Sequence, residues 1–319
     1  MVATVNYDII MSADNLVESD NCCASCGKAE VDDTKLNKCD GCDLVRYCSD
    51  ECKEDHRPEH EAKCKERAAE LREEILFRQP ESSHLGDCPI CCVPLPIDLD
   101  KSESKPCCNI MICKGCVYAD MPRQIELREF DFKCLFCRQP FPKNNEEGNK
   151  IVMKRIAAND PVALRNFGKR AFDNGDYDRA LKYWNKAAEL GDVTAHISLS
   201  ILYENGKGVE KDEKKQVYHL EEAAIAGHPK ARQNLGNYEH KNGRIDRSVK
   251  HYTIAANLGY DDAIQALKQC YKNGTISKDD FAAALRGHKA AVDATKSAQR
   301  KEADWHDNRL REYQARFGL

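Results

Sequence analysis

Residues 202–212 read LYENGKGVEKD, and they lie between two runs of apolar and small residues with helical spacing. The first run includes Leu199 and Leu202, and the second includes Leu220, Ala223 and Ala224. Glycine favours the left-handed backbone that ends a helix, and Asp212 is placed to cap the helix that follows. This stretch therefore predicts two antiparallel helices joined by a short loop.

The same pattern recurs on both sides of this stretch. The unit Gly-x-x-x-Ala occupies residues 191–195, 227–231 and 259–263, with spacings of 36 and then 32 residues, and Ala163 lies 32 residues before Ala195. Repeated helical hairpins bury a continuous apolar seam only when they stack on one another. Residues 202–212 also resemble the signature of Sel1-like repeats, relatives of the tetratricopeptide family. The resemblance implies an α-α solenoid over residues 160–287, followed by a C-terminal capping helix at 288–319.

The cysteines are concentrated in the other half of the chain. Of 18 cysteines in 319 residues, 17 lie between Cys22 and Cys137, mostly as C-x-x-C pairs, and only Cys270 lies elsewhere. No run of residues indicates a signal peptide or a membrane span, so we expect an intracellular protein, cytoplasmic or nuclear. In such a reducing compartment C-x-x-C pairs are metal ligands before they are disulfides. We expect the metal to be zinc.

The first cluster supplies eight ligands for two tetrahedral zinc ions. They are Cys23, Cys26, Cys39, Cys42, Cys48, Cys52, His60 and Cys64. The spacing, with Gly27 and Tyr47, resembles the MYND-type zinc finger, here residues 22–64. The resemblance implies interleaved sites, one from the first and third pairs and the other from the second and fourth. MYND fingers typically bind proline-rich peptides beside a helical aromatic residue; here that position holds His56, which we expect to face solvent.

The second cluster, within residues 87–142, holds eight more ligand candidates. They are Cys88, Cys91, Cys107, Cys108, Cys113, Cys116, Cys134 and Cys137. Their order resembles a RING domain of the all-cysteine kind, which implies one zinc at Cys88, Cys91, Cys113 and Cys116 and another at the remaining four. The prediction is thus four zinc ions in all, two in each cluster.

One spacing in the second cluster departs from the RING pattern. Cys107 and Cys108 are adjacent, whereas RING fingers usually separate these ligands by one residue. Adjacent thiolates can share a metal with strain, so a distorted site, or one completed by water, stays open as an alternative. Cys22 and Cys92 are left over. Cys22 competes with Cys23 for the ligand position; we favour Cys23, which forms the C-x-x-C knuckle, and interpret Cys22 as a surface thiol. We interpret Cys92 as a small apolar residue packed under its knuckle.

Two residues of the RING-like cluster bear on activity. A RING-type E3 ubiquitin ligase holds a charged E2 conjugating enzyme, and the resemblance places the E2 contacts at Ile90 and Arg138. Two other classes compete with this reading. One is a non-enzymatic adaptor with purely structural zinc fingers; the other is a SET-type lysine methyltransferase, disfavoured because the chain lacks a SET-like cofactor motif. Catalytic side chains are not predicted.

Charge narrows the choice of partners. Residues 1–150 hold 20 Lys and Arg against 30 Asp and Glu, a net −10, and residues 151–319 hold 29 against 23, a net +6, which together give −4. Nucleic-acid binding domains usually present a basic face, so we expect protein partners, including peptides, and no nucleic acid or membrane.

The predicted fold is mainly α: two small zinc-stabilised cross-brace modules followed by a helical solenoid of Sel1-like repeats. Residues 1–21 are expected to be a disordered lead, and residues 65–86 a helical spacer between the two modules. The order of MYND, RING-like and Sel1-like parts is similar to that of uncharacterised proteins from single-celled eukaryotes. The sequence leaves the partner, the oligomeric state and the ligase activity undetermined.

Overall fold

The computed structural model describes residues 22–31, 35–126 and 133–317. The chain divides into one unit that ends at Leu76 and a second unit that begins at Phe77. The predicted lead, residues 1–21, lies outside the described residues.

The first unit is a small cysteine-rich module followed by a long helix. Strands β1 (Asn37–Lys38) and β2 (Arg46–Tyr47) pair antiparallel, and helix α1 runs from Asp50 to Phe77. Its first turn carries Asp50 and Glu51, whose negative charges stabilise the helix by interacting with the positive end of its dipole. The core of the module is Cys23, Leu36 and Tyr47. So few apolar side chains cannot hold a fold of this size without another constraint.

The second unit opens with the other cysteine-rich module. Strands β3 (Ser102–Ser104) and β4 (Met111–Cys113) pair antiparallel, with Ser102 opposite Cys113, and helix α2 (Lys114–Glu126) follows directly. This order brings Cys113, at the end of β4, and Cys116, in the first turn of α2, to one side of the module.

The rest of the second unit is helical, as the sequence predicts. In chain order the helices are α3 (Asn145–Ala157), α4 (Pro161–Asp173), α5 (Tyr177–Glu189), α6 (Val193–Asn205), α7 (Glu213–Ile225), α8 (Pro229–Lys241), α9 (Ile245–Asn257), α10 (Asp261–Lys272), α11 (Lys278–Ala294) and α12 (Ala298–Phe317). The pairs α4 with α5, α6 with α7 and α8 with α9 form hairpins, and successive hairpins pack on one another. This arrangement is the predicted solenoid.

The recurring alanines are buried between helices and the recurring glycines end helices, as the repeat pattern predicts. The four recurring alanines, Ala163, Ala195, Ala231 and Ala263, are at most 3% exposed. The glycines at 191, 227 and 259 all have φ between +82° and +88°, so they end helices in the left-handed conformation. Asp212 accepts a hydrogen bond from the Lys215 amide and caps α7. The small residues therefore fix both the length of each helix and the distance between neighbours.

Helices α4 and α5 approach each other closely at Gly168 of α4. A Cβ at this position would lie 2.6 Å from Trp184 Cδ1 on α5. Trp184 is 2% exposed, and its indole nitrogen donates to the Arg165 carbonyl at 3.1 Å. The indole thus packs directly on backbone, which only glycine permits here.

The spacer between the two modules is helical for only part of its length. Helix α1 ends at Phe77, and the chain from there to Gly86 lies along the repeats. The His84 amide donates to the Gly227 carbonyl at 3.1 Å, and the His84 ring stacks on His228 with centroids 4.0 Å apart. Hydrogen bonds of this kind hold the start of the second module to the α7–α8 turn.

The C-terminal segment differs from the single capping helix predicted for residues 288–319. It contains the end of α11, which packs on α9 and α10, and then α12, which packs on α2 of the second cysteine-rich module. Within the described residues, no helix has both the length and the apolar character that crossing a membrane requires.

We predict that Gly168→Ala lowers the free energy of unfolding by about 1–3 kcal/mol, because the new methyl group overlaps the Trp184 ring. The measurement is urea unfolding followed by helical circular dichroism. Gly148→Ala in α3 is the matched control: its Cβ meets nothing nearer than 3.7 Å. We expect that control to be neutral or to gain about 0.5–1 kcal/mol. Equal effects of the two substitutions would contradict this account of the hairpin.

Candidate metal centres

The structure brings the sixteen predicted ligands together as four groups of four. In each group the ligand atoms all lie within 4.8 Å of one another. The groups are centre 1 (Cys23, Cys26, Cys48, Cys52), centre 2 (Cys39, Cys42, His60, Cys64), centre 3 (Cys88, Cys91, Cys113, Cys116) and centre 4 (Cys107, Cys108, Cys134, Cys137). Centres 1 and 2 interleave along the chain, as do centres 3 and 4, so each module has a cross-brace.

The spacing of the sulfur atoms fits tetrahedral zinc. Four sulfurs at a Zn–S distance of about 2.3 Å lie roughly 3.8 Å from one another. Sulfur pairs within the centres include separations of 3.5 Å between Cys26 and Cys48 and 3.9 Å between Cys88 and Cys116, and no two ligand atoms of a centre lie more than 4.8 Å apart. A disulfide needs about 2.05 Å, and all of these cysteines are free. The donor sets therefore suit zinc and exclude sulfur–sulfur bonds.

Three of the C-x-x-C pairs share one backbone turn. In each, the amide of the residue after the second cysteine donates to the carbonyl of the first cysteine at 2.8 or 2.9 Å. These residues are Gly27, Cys92 and Arg138, with φ values of +72°, +54° and +60°. Cys92 is exposed at this left-handed position, which differs from the packed side chain we expected. Cys92 thus shapes the turn through its backbone.

These turns favour thiolates at the first cysteine of each pair. Burial raises the pKa of the Cys23 thiol, but backbone hydrogen bonds outweigh burial and lower that pKa to about 6. At Cys88 and Cys134 burial also raises the pKa of the thiol, but hydrogen bonds outweigh it and lower that pKa to about 7. Hydrogen bonds outweigh burial at Cys39 as well and lower its pKa. Each centre therefore contains one thiol whose pKa is lowered toward the ionised form that binds metal.

Helix α1 supplies the last donors of the first module. His60 and Cys64 lie one turn apart on one face, and His60 Nε2 is 3.2 Å from Cys42 Sγ. Burial lowers the pKa of His60, and electrostatic interactions with His56 and Lys63 lower it further. A neutral imidazole is the form that donates its lone pair to a metal.

We expected His56 to face solvent, but its side chain turns toward the module. Its ring is half-buried and stacks on His60 with centroids 5.6 Å apart. Its Nδ1 atom is 3.0 Å from the Tyr47 hydroxyl. His56 therefore orients the ring of the ligand beside it, a contact that sequence spacing does not reveal.

The adjacent pair Cys107 and Cys108 both point into centre 4. Cys108 Sγ is 3.7 Å from Cys134 Sγ. From α3, Arg155 donates to the carbonyls of Cys107 and Cys108 at 3.0 and 3.1 Å. These bonds hold the backbone of the pair in place. Ligand spacing gives no sign of Arg155, because the residue lies beyond the module.

A second contact continues from this pair into the repeats. Asn109, with φ of +56°, donates to Asp160 Oδ1 at 2.8 Å. Asp160 also pairs with Arg155 and caps α4 by accepting from the Ala163 amide at 2.7 Å. Burial raises the pKa of Asp160, yet these hydrogen bonds and the Arg155 charge lower it overall. One carboxylate thus joins centre 4 to the first repeat.

The remaining predicted site residues, Ile90 and Arg138, lie at the surface of the second module. Ile90 is 45% exposed, and Arg138 is also exposed. Phe136, which the sequence reasoning passed over, is 47% exposed between Cys134 and Cys137. Ile90 and Phe136 each project from a turn between two ligands.

Two family models match this chain. Residues 23–64 match the MYND finger. Residues 167–192, 193–228 and 229–260 match the Sel1 repeat. Both are protein-interaction modules. The chain therefore combines a MYND finger, a further cysteine-rich module with zinc-type geometry and a Sel1 repeat solenoid.

Parts of this chain are similar in sequence to curated proteins. Chitin synthase regulatory factor 4 of Schizosaccharomyces pombe is 27% identical over 134 residues, which cover 35% of this chain and 21% of that protein. The putative β-lactamase HcpC of Helicobacter pylori is 37% identical over 60 residues, 19% of this chain and 21% of that protein. The chain thus spans about a fifth of the length of these curated relatives.

Solved structures with the same kind of repeat are also similar. A Sel1 repeat protein from Oxalobacter formigenes has a TM-score of 0.40 and 25% identity, covering 48% of this chain and 66% of that one. The c5321 antigen of uropathogenic Escherichia coli has a TM-score of 0.37 and 20% identity, covering 53% and 37% of the two chains.

We predict that Asp160→Ala is more destabilising than loss of an ordinary helix cap. The change removes the α4 cap and leaves Arg155 and Asn109 without their shared acceptor, so we expect a loss of roughly 2–4 kcal/mol. Asp212→Ala is the matched control, since Asp212 caps α7 in the same way, and should cost about 1 kcal/mol. Thermal unfolding of both variants makes the comparison; indistinguishable losses would mean that the link to centre 4 contributes nothing.

Proposed function

We propose that the chain holds four structural zinc ions and uses the modules they stabilise, together with the repeats, to bind protein partners. The observation that supports this most is that each centre contains four protein donors. Catalytic zinc usually keeps a coordination position for water or substrate, whereas four protein ligands close the site. The zinc ions would thus stabilise the modules and take no part in chemistry.

A concave surface of the repeats suits such a role. Helices α6, α7 and α8 line a cavity of about 500 Å³ whose walls include Tyr203, Gln216, Asn234 and Asn237. Amide and phenol groups of this kind can donate to and accept from a peptide backbone. Extended concave surfaces are what stacked repeats offer to their partners.

Metal analysis of the purified chain tests the zinc count. With four donors to each ion, we expect about four zinc ions per chain by mass spectrometry of metals. A value near two would mean that the second module is not a pair of zinc sites.

Single cysteine substitutions sharpen this test. Cys107→Ser removes one donor of centre 4, and we expect it to lower the content to about three. Cys92→Ser changes a cysteine of the same module that belongs to none of the centres, so it should leave the content unchanged. Equal zinc contents in the two variants would remove Cys107 from the ligand set.

We also propose, as a second candidate function, that the RING-like module recruits an E2 conjugating enzyme while the repeats choose the substrate. The support is the exposure of Ile90 and Phe136 on two ligand turns, with Arg138 directly after the last ligand. Exposed apolar residues on rigid turns are suited to act as interface anchors. The competing reading is an adaptor without ligase activity.

An autoubiquitination assay across a panel of E2 enzymes distinguishes the two readings. If the module is a ligase, Ile90→Ala should reduce product formation by about tenfold or more through loss of E2 contact. Leu190→Ala is the matched control, because Leu190 has the same 45% exposure but lies in the repeats. If zinc-loaded, folded protein gives no product with any E2, the ligase proposal is wrong and the adaptor without ligase activity is favoured.

A further inference from the structure

Helix α12 inserts one arginine into the second cysteine-rich module, and the ligand pattern gives no reason to expect it. Arg300 is 8% exposed although it carries a charge. Its Nη1 atom donates to the Pro94 carbonyl at 2.6 Å, and its Nη2 atom donates to the Val93 carbonyl at 3.0 Å. Both carbonyls follow the Cys88–Cys91 turn, so the planar guanidinium is hydrogen-bonded to the backbone directly after this turn.

The same guanidinium also contacts one of the metal ligands. Arg300 Nη2 is 3.6 Å from Cys91 Sγ, within hydrogen-bonding distance for sulfur, and the two residues are 209 positions apart in the chain. Arg300 therefore contacts Cys91, one of the four donors of centre 3.

The surroundings of Arg300 fit this contact closely. A Cβ at Gly115 would lie 2.8 Å from the Arg300 backbone nitrogen, so the absence of a side chain at 115 lets α12 approach α2. Further along α12, Lys101 pairs with Asp304 at 3.2 Å, and the Tyr118 ring stacks on that of His306 with centroids 4.4 Å apart. The helix is thus fixed on the module at several points around the arginine.

Charge explains why a cation is useful here. Four thiolates around one Zn²⁺ carry a formal charge of −2. Burying an uncompensated charge is costly, and a hydrogen-bonded cation reduces that cost. Centre 4 differs, since Arg155 donates to ligand carbonyls there.

We propose that Arg300 is the residue that stabilises zinc in centre 3 from outside the ligand set, so that α12 is a working part of that centre. This inference rests on the proposed function, namely that centre 3 holds zinc. Arg300 donates to the Cys91 thiolate and to the two carbonyls that follow the Cys88–Cys91 turn. Loss of Arg300 therefore raises the rate at which centre 3 loses its metal and exposes its thiols, without removing any ligand.

The test is alkylation of the zinc-loaded full chain by N-ethylmaleimide, with each cysteine followed by peptide mass spectrometry. In Arg300→Met we expect the four cysteines of centre 3 to react about 10- to 100-fold faster than in the wild type, the usual effect of losing a group that supports metal ligands. The cysteines of centres 1 and 2 serve as the internal reference and should keep their rates.

Two further variants complete the design. Lys301→Met removes the same charge from the next position on α12, where the side chain is exposed, and should leave every rate unchanged. Arg300→Lys keeps the charge but loses the planar fork, so its centre 3 rates should lie between those of the wild type and Arg300→Met. This variant also carries the test if Arg300→Met does not fold.

Three results would overturn the proposal. Centre 3 rates in Arg300→Met within about twofold of those in Lys301→Met would show that the contact does not protect the metal. Equal acceleration at centres 3 and 4 would show a general loss of structure. Wild-type centre 3 cysteines that react as free thiols, with fewer than four zinc ions bound, would refute the proposed function as well, whereas the first two results leave it standing.

Discussion

Metal coordination is the constraint on which both cysteine-rich modules depend. In the second module, three of the five buried core residues are themselves ligands, namely Cys88, Cys113 and Cys116. A module with so few apolar side chains gains little from hydrophobic burial, so the coordination bonds must supply much of its folding free energy. Interleaving extends the effect, because each ion then fixes two segments that are far apart in the chain.

The second module is also tied to two helices that follow it in sequence, α3 directly and α12 near the end of the chain. Arg155 on α3 holds the backbone of Cys107 and Cys108, and Asp160 carries that contact into α4. Arg300 on α12 holds the turn of Cys91. Each arginine satisfies carbonyl groups that a loop of this kind would otherwise present to water. The module and the solenoid are therefore joined by specific polar contacts, which suits a scaffold that presents several surfaces together.

The solenoid depends on a different constraint, the close approach of small residues. Alanine at the recurring positions and Gly168 beneath Trp184 let neighbouring helices pack at short distance. Left-handed glycines then end the helices at regular intervals. Because each hairpin contacts mainly its neighbours, this architecture needs no long-range cross-links of its own. The segment from Phe77 to Gly86 lies along the surface of the repeats.

The sequence by itself determined the local features of this protein. Ligand spacing identified the sixteen donors that the structure gathers into four groups, and the Gly-x-x-x-Ala marks identified the helical repeat, because knuckles and helix caps are set by residues a few positions apart. Only the tertiary structure decided that His56 turns inward onto His60, that Arg155 and Arg300 support centres 4 and 3, and that α12 packs on α2. The arginine contacts join residues that are distant in sequence, and the His56 contact depends on the direction in which its ring turns. A single arginine or histidine leaves no periodic pattern in the sequence. Their positions follow from how whole elements pack, which spacing along the chain does not encode.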